Sequence, residues 1–186
     1  MFEKIICSIS SALRKRNISY MLIGGQAVLL YGEPRLTRDI DITLGVDIDR
    51  LAEIISLAGD LGLKILPENV EKFTRETMVL PVADEETGIR IDFIFSFSPY
   101  EKQAIEKAKT VRMLDQNISF AAPEDLIIHK IIAGRPRDME DVNGIMQRMK
   151  NIDIVYIRKW LNDFSAALND GEIIKRLESI CDGCKL

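Results

Sequence analysis

Apolar positions recur along the chain with two different periods, and these periods predict a mixture of helices and strands. Apolar residues spaced three and four apart line one face of a helix, whereas alternating apolar residues line one face of a strand. Helices are predicted at residues 2–16, 26–31, 51–61, 67–75 and 99–108. Strands are predicted at residues 20–23, 39–44, 78–82, 89–95, 110–114 and 118–120.

The last third of the chain keeps only the helical period, and this divides the sequence into two predicted regions. Helices are expected at about 125–133, 138–149, 153–168 and 171–181. We therefore predict an α+β fold. Residues 1–122 are predicted to form an α/β core, and residues 123–186 a helical region packed on that core.

Two hairpins are predicted between neighbouring strands of the core. The segment 84–88 is rich in turn-forming residues, with Gly88 at the position that needs a tight turn. A second turn is predicted at Gln116-Asn117, between the last two strands.

Composition and charge exclude several classes of protein. The chain has 186 residues, 47% of them apolar and 29% charged, and its 25 basic and 29 acidic side chains give a net charge of −4. This is the composition of an ordinary globular domain, and it does not point to an extended nucleic-acid track. No apolar run approaches the length of a membrane span, so no membrane partner is expected.

The cysteines indicate a reducing environment rather than a disulfide framework. The chain has three cysteines, an odd number, and two of them, Cys181 and Cys184, lie close to its last residue. Their spacing resembles that of metal ligands, but the sequence holds no second pair to complete a zinc site. We expect a cytoplasmic location.

The candidate chemistry begins at Asp39 and Asp41. Residues two apart on a strand point to the same face, so these two carboxylates would lie side by side. Like charges in that arrangement repel each other unless a cation lies between them. Mg²⁺, or Mn²⁺ in its place, is a cation that carboxylate oxygens bind. The alternative is a pair of solvated acids on an edge strand.

A Gly-Gly pair precedes these aspartates and supports the same hypothesis. Gly24 and Gly25 follow a predicted strand and open a predicted helix. Glycines allow close backbone approach, and a helix start offers unpaired N–H groups to a phosphate.

Asp92 is the only acid in an otherwise apolar strand. If that strand lies beside the strand of Asp39 and Asp41, three carboxylates converge and could hold two metal ions. Asp92 would then be a base or a ligand of the second metal. The alternatives are that Asp92 pairs with Arg90 or faces water.

These residues resemble the polymerase-β nucleotidyltransferase superfamily, in which a Gly-Gly or Gly-Ser turn, an Asp-x-Asp strand and a later single Asp recur. The resemblance implies a mixed sheet flanked by helices, and metal ligands at Asp39, Asp41 and Asp92. The string from Arg35 to Asp41 looks more specifically like the abortive-infection branch of toxin nucleotidyltransferases. Within it, the resemblance implies nucleotide or phosphate binding by Arg35, Thr37 and Arg38.

A second block supports that branch. Lys130 lies on a predicted helix, and the next helix begins with Arg137, Asp138 and, three residues on, Asp141. The resemblance implies that these four residues bind nucleotide or phosphate, with Lys130 neutralising triphosphate charge. The alternative is that both acids cap the helix and pair with Arg135 or Arg137.

The sequence therefore predicts an enzyme that transfers a nucleoside monophosphate from an NTP to a hydroxyl. The acceptor could be an RNA end, a protein or a small molecule. The alternative is a nucleotide-binding member of a toxin–antitoxin or defence pair that acts through a protein partner. His129, the only histidine, is interpreted as a packed or site-edge residue.

Overall fold

A mixed β-sheet organises most of the first two thirds of the chain. The structure, a computed structural model, describes residues 1–96 and 98–184, without the side chains of the last two. Within these residues the strands are β1 (Tyr20–Ile23), β2 (Asp39–Leu44), β3 (Lys64–Ile65), β4 (Val79–Asp84), β5 (Ile89–Phe95), β6 (Lys109–Met113) and β7 (Gln116–Phe120). They form one sheet in the order β3-β4-β5-β2-β1-β7-β6.

The helices alternate with these strands and then follow one another to the end of the chain. In the described residues they are α1 (Phe2–Lys15), α2 (Gly24–Tyr31), α3 (Leu51–Asp60), α4 (Val70–Thr77), α5 (Pro99–Glu106), α6 (Pro123–Ala133), α7 (Pro136–Arg148), α8 (Ile154–Leu168) and α9 (Glu172–Cys184). This α+β architecture confirms the predicted fold class.

The chain divides into two compact units. The first contains residues 1–26 and 36–121, and the second contains residues 27–35 and 122–186. The segment 27–35, which the sequence analysis assigned to the first region, therefore belongs to the second unit. Its apolar residues pack with those of the helical region: Val28 and Ile145, for example, both approach Gly32.

In the first unit, β2 lies in the middle of the sheet. It pairs antiparallel with β1 and parallel with β5, and β5 pairs antiparallel with β4. Ile40, Ile42 and Leu44 are all buried on one face of β2. Because side chains alternate along a strand, the aspartates of β2 point to the opposite face, as the period-two pattern predicted.

In the second unit, α6 is the most buried helix. Four of its apolar residues are fully inaccessible to solvent, namely Leu126, Ile127, Ile128 and Ile131. The helix packs against α7, α8 and α9. It begins with Pro123, which suits a first turn, and ends at Gly134, whose φ of +64° lies in the left-handed region that favours glycine.

Two local predictions are wrong, and one short strand was not predicted. The last hairpin turns at Leu114 and Asp115 rather than at Gln116-Asn117, because Met113 pairs with Gln116 across a two-residue loop. The helix predicted from residue 67 begins at Val70, after Asn69 caps it by accepting a hydrogen bond from the Lys72 backbone N–H. The short strand β3 was not predicted, since two residues show no measurable alternation.

Two further expectations concern membranes and cysteines. Across the described residues, no helix is both long and apolar enough to cross a bilayer. Cys7 and Cys181 are buried thiols that form no disulfide within the described residues. The side chain of Cys184 lies outside the described part of the chain, so the hypothesis about this cysteine pair stays a hypothesis.

We expect the substitution Leu114→Gly to stabilise the protein. Leu114 has a φ of 52°, a backbone conformation that costs a non-glycine residue about 1 kcal/mol. Its side chain is 56% exposed, so little packing is lost. Thermal unfolding should show a midpoint raised by about 2 °C.

The control for this prediction is Leu36→Gly. Leu36 is also an exposed leucine, but its φ is outside the left-handed region. Glycine there only adds freedom to the unfolded chain, so its midpoint should fall. Equal shifts for the two variants would contradict the prediction.

Candidate active site

Three acids lie on neighbouring positions of the central strands of the first unit. In the parallel pairing of β2 with β5, Asp41 is aligned with Asp92 and Asp39 with Arg90. Neighbouring strands are about 4.8 Å apart, and aligned residues point to the same face. The structure therefore places the Asp41 and Asp92 side chains side by side, with Asp39 two residues before Asp41 on the same face.

Gly24 leaves the space that Asp41 occupies. A Cβ atom at position 24 would lie 1.8 Å from Oδ2 of Asp41, a distance that no side chain tolerates. The φ of Gly24 is also +64°, which disfavours any other residue. The first glycine of the Gly-Gly pair is thus required by the carboxylate beside it. Gly25 is buried within the first turn of α2.

Arg90 is the cation that this face of the sheet supplies. Its Nε donates a hydrogen bond to Oδ1 of Asp92 over 2.8 Å. The hydrogen bond that Arg90 donates to Asp92 raises the pKa of Arg90 despite the opposing effect of partial burial, and the charges of Asp39 and Asp41 add to the rise. All three carboxylates therefore act on one guanidinium, and the predicted alternative pairing of Asp92 with Arg90 is present.

Oxygen-rich chemistry here suits Mg²⁺ or Mn²⁺, which bind one or two carboxylates together with substrate phosphates. Asp41 and Asp92 lie at aligned positions of β2 and β5, and Gly24 keeps the space around Asp41 clear. In the described residues, no three or more His, Cys, Asp or Glu side chains already form a group that could hold a metal ion. Asp92, in particular, is turned toward Arg90. The metal assignment stays a prediction.

The predicted site residues between the Gly-Gly pair and the aspartates of β2 are divided between the two units. Thr37 and Arg38 belong to the first unit. Arg38 is exposed, and the Thr37 hydroxyl donates to the backbone oxygen of Asp39 over 3.4 Å. Arg35 belongs to the second unit, where its Nε and Nη2 contact the two carboxylate oxygens of Asp141 at 2.8 and 2.9 Å.

A second cluster of charges is buried in the second unit. The Nζ of Lys130 lies 2.9 Å from Oδ1 of Asp138 and 2.7 Å from Oδ2 of Asp141. Only 7% of the Lys130 side chain is exposed. Arg135 completes the cluster with its Nε 2.6 Å from Oδ2 of Asp138. Each acid thus has two cationic partners, and the predicted pairing of Asp138 with Arg135 is present.

These cations keep both acids ionised. Burial works to raise the pKa of Asp138, but hydrogen bonds from Arg135 and Lys130 outweigh it and lower that pKa. Burial likewise works to raise the pKa of Asp141, and hydrogen bonds from Arg35 and Lys130 reverse its effect. Arg137, which was predicted to bind nucleotide or phosphate, is exposed.

Two partners in these clusters were not predicted as site residues. The sequence analysis named Arg90 and Arg135 only as alternatives. Arg90 could have been found from its spacing, because it lies two residues before Asp92 on the same strand and so shares its face. The contact of Arg35 with Asp141 joins residues that are distant in sequence, and no local pattern indicates it.

The comparison with protein families gives the class of the protein, which is a nucleotidyltransferase. Residues 2–179 match the family described as "Nucleotidyltransferase of unknown function (DUF6036)", and the chain belongs to this family. The comparison with curated proteins found no match.

Solved structures of other nucleotidyltransferases share the fold. The antibiotic-resistance factor ANT(2'')-Ia aligns with a TM-score of 0.63 at 17% identity, over 90% of this chain and 94% of that one. An antigenic nucleotidyltransferase-like protein from Paracoccidioides brasiliensis aligns with a TM-score of 0.58 at 15% identity, over 95% and 91%. The lincosamide antibiotic adenylyltransferase LnuA, lincomycin-bound, gives 0.53 at 21% identity, over 76% and 94%.

We expect Asp141→Asn to destabilise the protein far more than Arg135→Ala. The asparagine removes the charged carboxylate that both Lys130 and Arg35 contact in a buried place, which should cost about 3 kcal/mol. Arg135 is 76% exposed, and a pair of that kind contributes less than about 1 kcal/mol. Denaturant unfolding measures both values, and similar losses would contradict the buried cluster.

His129 is expected to make stability depend on pH. Burial, with a smaller effect of the Lys130 charge, lowers the pKa of His129 to about 4. In the unfolded chain the same ring has a pKa of about 6.5. Between these values the unfolded state binds a proton that the folded state does not, so the free energy of unfolding falls as the pH drops.

Between pH 6.5 and pH 4, we therefore expect the free energy of unfolding to fall by about 2 kcal/mol less in His129→Gln than in the native protein. The lowered pKa values of Asp138 and Asp141 mean that their stabilisation is lost only below about pH 4. The two effects therefore fall in separate windows. Thermal unfolding across this range measures the difference, and parallel curves for both proteins would exclude His129 as the cause.

Proposed function

We propose that this protein transfers a nucleoside monophosphate from an NTP to a hydroxyl acceptor. The observation that supports the proposal most directly is the alignment of Asp41 with Asp92 on parallel strands, on the face that also carries Asp39. Adjacent carboxylates are unfavourable in an ordinary sheet and useful where a divalent cation binds. Membership of a nucleotidyltransferase family agrees with this chemistry.

In the proposed site, Asp39 and Asp41 hold Mg²⁺, or Mn²⁺ in its place, and Asp92 faces the acceptor. The divalent cation would supply charge neutralisation for the triphosphate and for the transition state. Gly24 keeps Asp41 in position, and the start of α2 offers backbone N–H groups to phosphate oxygens. Arg90 must release Asp92 for the carboxylate to act, since it holds one of its oxygens.

The proposed reaction is an in-line displacement at the α-phosphorus. The acceptor hydroxyl oxygen forms a bond to that phosphorus with its own lone pair. The bond from the α-phosphorus to the bridging oxygen breaks, and its electron pair leaves with pyrophosphate. The Asp92 carboxylate is proposed to take up the proton of the acceptor hydroxyl.

The remaining predicted residues are proposed to act on the nucleotide. Arg38 and Arg137 are exposed and suited to contact phosphate, and Thr37 is partly exposed. Lys130, Asp138 and Asp141 form a buried cluster, together with Arg35. Their contacts favour the alternative in which this cluster stabilises the start of α7, so a direct role in phosphate binding stays a prediction.

The acceptor is proposed to be a small molecule with a hydroxyl group rather than a nucleic acid. ANT(2'')-Ia has been solved in complex with adenylyl-2''-tobramycin, and LnuA with lincomycin bound. These ligands belong to those proteins, and they show that the shared fold accommodates small acceptors. The resemblance to the abortive-infection branch rests on the string from Arg35 to Asp41 and the block from Arg137 to Asp141. The alternative function through a protein partner rests on the same resemblance.

We expect Mg²⁺-dependent NTP binding that requires Asp39 and Asp41. A ligand at about a hundred times its Kd adds about 2.7 kcal/mol of stability, or roughly 5–10 °C for a chain of this size. Thermal unfolding with each NTP, with and without Mg²⁺, should show this shift for the native protein. The double variant Asp39→Asn with Asp41→Asn should lose it, because the carboxylate ligands are gone.

The matched control is Asp163→Asn with Glu140→Gln, which removes the same charge from two exposed acids of the second unit. This control should keep the full shift. If no NTP stabilises the native protein, the enzyme proposal fails and binding of a protein partner becomes the favoured function. If the aspartate variant keeps the shift, the metal assignment fails.

A further inference from the structure

A cavity of about 510 Å³ lies in the first unit, and its lining includes Arg90, the residue that donates a hydrogen bond to Asp92. Its lining includes Leu66, Phe73 and Pro81, together with charged residues at its rim. The volume is within the range of about 300–1,000 Å³ that is typical of sites for small organic molecules.

The sheet register places this cavity next to the proposed base. Pro81 of β4 is aligned with Asp92 of β5, and directly aligned residues of antiparallel strands share a face. Pro81, Asp92 and Asp41 therefore form one row across the sheet. Arg90 belongs to both places, because it lines the cavity and donates its hydrogen bond to Asp92.

The apolar part of the cavity is open to solvent. Phe73 of α4 is 39% exposed, and Leu66 is 43% exposed. Pro67, which is half-buried, extends this apolar surface, and the buried Pro81 also lines the cavity. Large apolar side chains that remain exposed together around a concavity are a common feature of ligand sites.

The charged side chains of the lining nearly cancel. Arg90 is already paired with Asp92, so Glu68 and Glu76 face Lys72 and exceed it by a single charge. A single-stranded nucleic acid needs a groove with a clear excess of cations along its backbone. A polycation would need several unpaired acids. The lining provides neither, so it suits a neutral or zwitterionic molecule.

We propose that this cavity binds the acceptor, and that the acceptor is a neutral or zwitterionic small molecule with an apolar face and a hydroxyl group. This inference rests on the proposed function, because the hydroxyl must meet Asp92. The apolar face of the acceptor packs on Phe73 and Leu66. Its hydroxyl points along the row from Pro81 to Asp92, where Arg90 is the side chain that must move aside.

The test uses phenyl β-D-glucopyranoside as the probe, since it joins an apolar ring to neutral hydroxyl groups. In a titration of the 15N-labelled full chain with Mg²⁺ and NTP, saturable shifts are expected for backbone amides of residues 66–76 and around Arg90. The double variant Leu66→Ala with Phe73→Ala should bind the probe at least about tenfold more weakly, because it loses most of the apolar contact.

The matched control is Val155→Ala with Leu168→Ala, which truncates two exposed apolar residues of α8. It should bind the probe like the native chain. All three proteins should keep the same Mg²⁺-dependent stabilisation by NTP, and this also shows that each variant is folded. A short oligouridylate with a free 3′ hydroxyl, used as a second probe, should leave residues 66–76 unshifted.

The outcomes separate the two proposals. Loss of NTP stabilisation in the native chain overturns the proposed function. Retained NTP stabilisation overturns the cavity assignment alone if the probe shifts other residues, fails to saturate, or binds the double variant and the native chain equally. Saturable binding of the oligouridylate at residues 66–76 would make the acceptor a nucleic acid and would also overturn this assignment.

Discussion

The parallel alignment of β2 with β5 brings Asp41 beside Asp92, and the two carboxylates repel each other. Other residues of the first unit accommodate this repulsion. Like charges on neighbouring strands are destabilising. Gly24 leaves room for one carboxylate, and Arg90 donates a hydrogen bond to the other. The buried isoleucines on the opposite face of β2 hold the strand in the core. An arrangement that works against stability and is nevertheless supported from several sides is typical of a functional site.

The two charged clusters differ in their ratio of acids to cations, and this difference favours a different role for each. In the first unit, one guanidinium faces the charges of three carboxylates. In the second unit, Lys130, Arg35 and Arg135 surround two carboxylates, each of which accepts from two cations. The first cluster therefore has an excess of acids, which suits the proposed divalent cation. In the second cluster, cations of the protein itself already neutralise both carboxylates, which favours the proposed structural role at the start of α7.

Arg35 explains why two distant sequence motifs occur together. It begins the string that ends at Asp41, yet its guanidinium binds Asp141 in a two-pronged contact that suits a carboxylate. The string therefore contains residues that act in different units: Arg35 in the helical unit, and Asp39 and Asp41 on the sheet. A resemblance over the whole string does not by itself assign one role to all of its residues.

The sequence by itself determined the α+β class, most of the helices and strands, and the face of β2 on which the aspartates lie, because these follow from periods of a few residues. It also singled out Gly24, although its reason, the space for Asp41, came from the structure. Only the tertiary structure decided that β5 lies beside β2 and that Arg35 binds Asp141. It also decided where the last hairpin turns. These features depend on pairing between segments that are distant along the chain, or on strand register, and local periodicity carries no information about either.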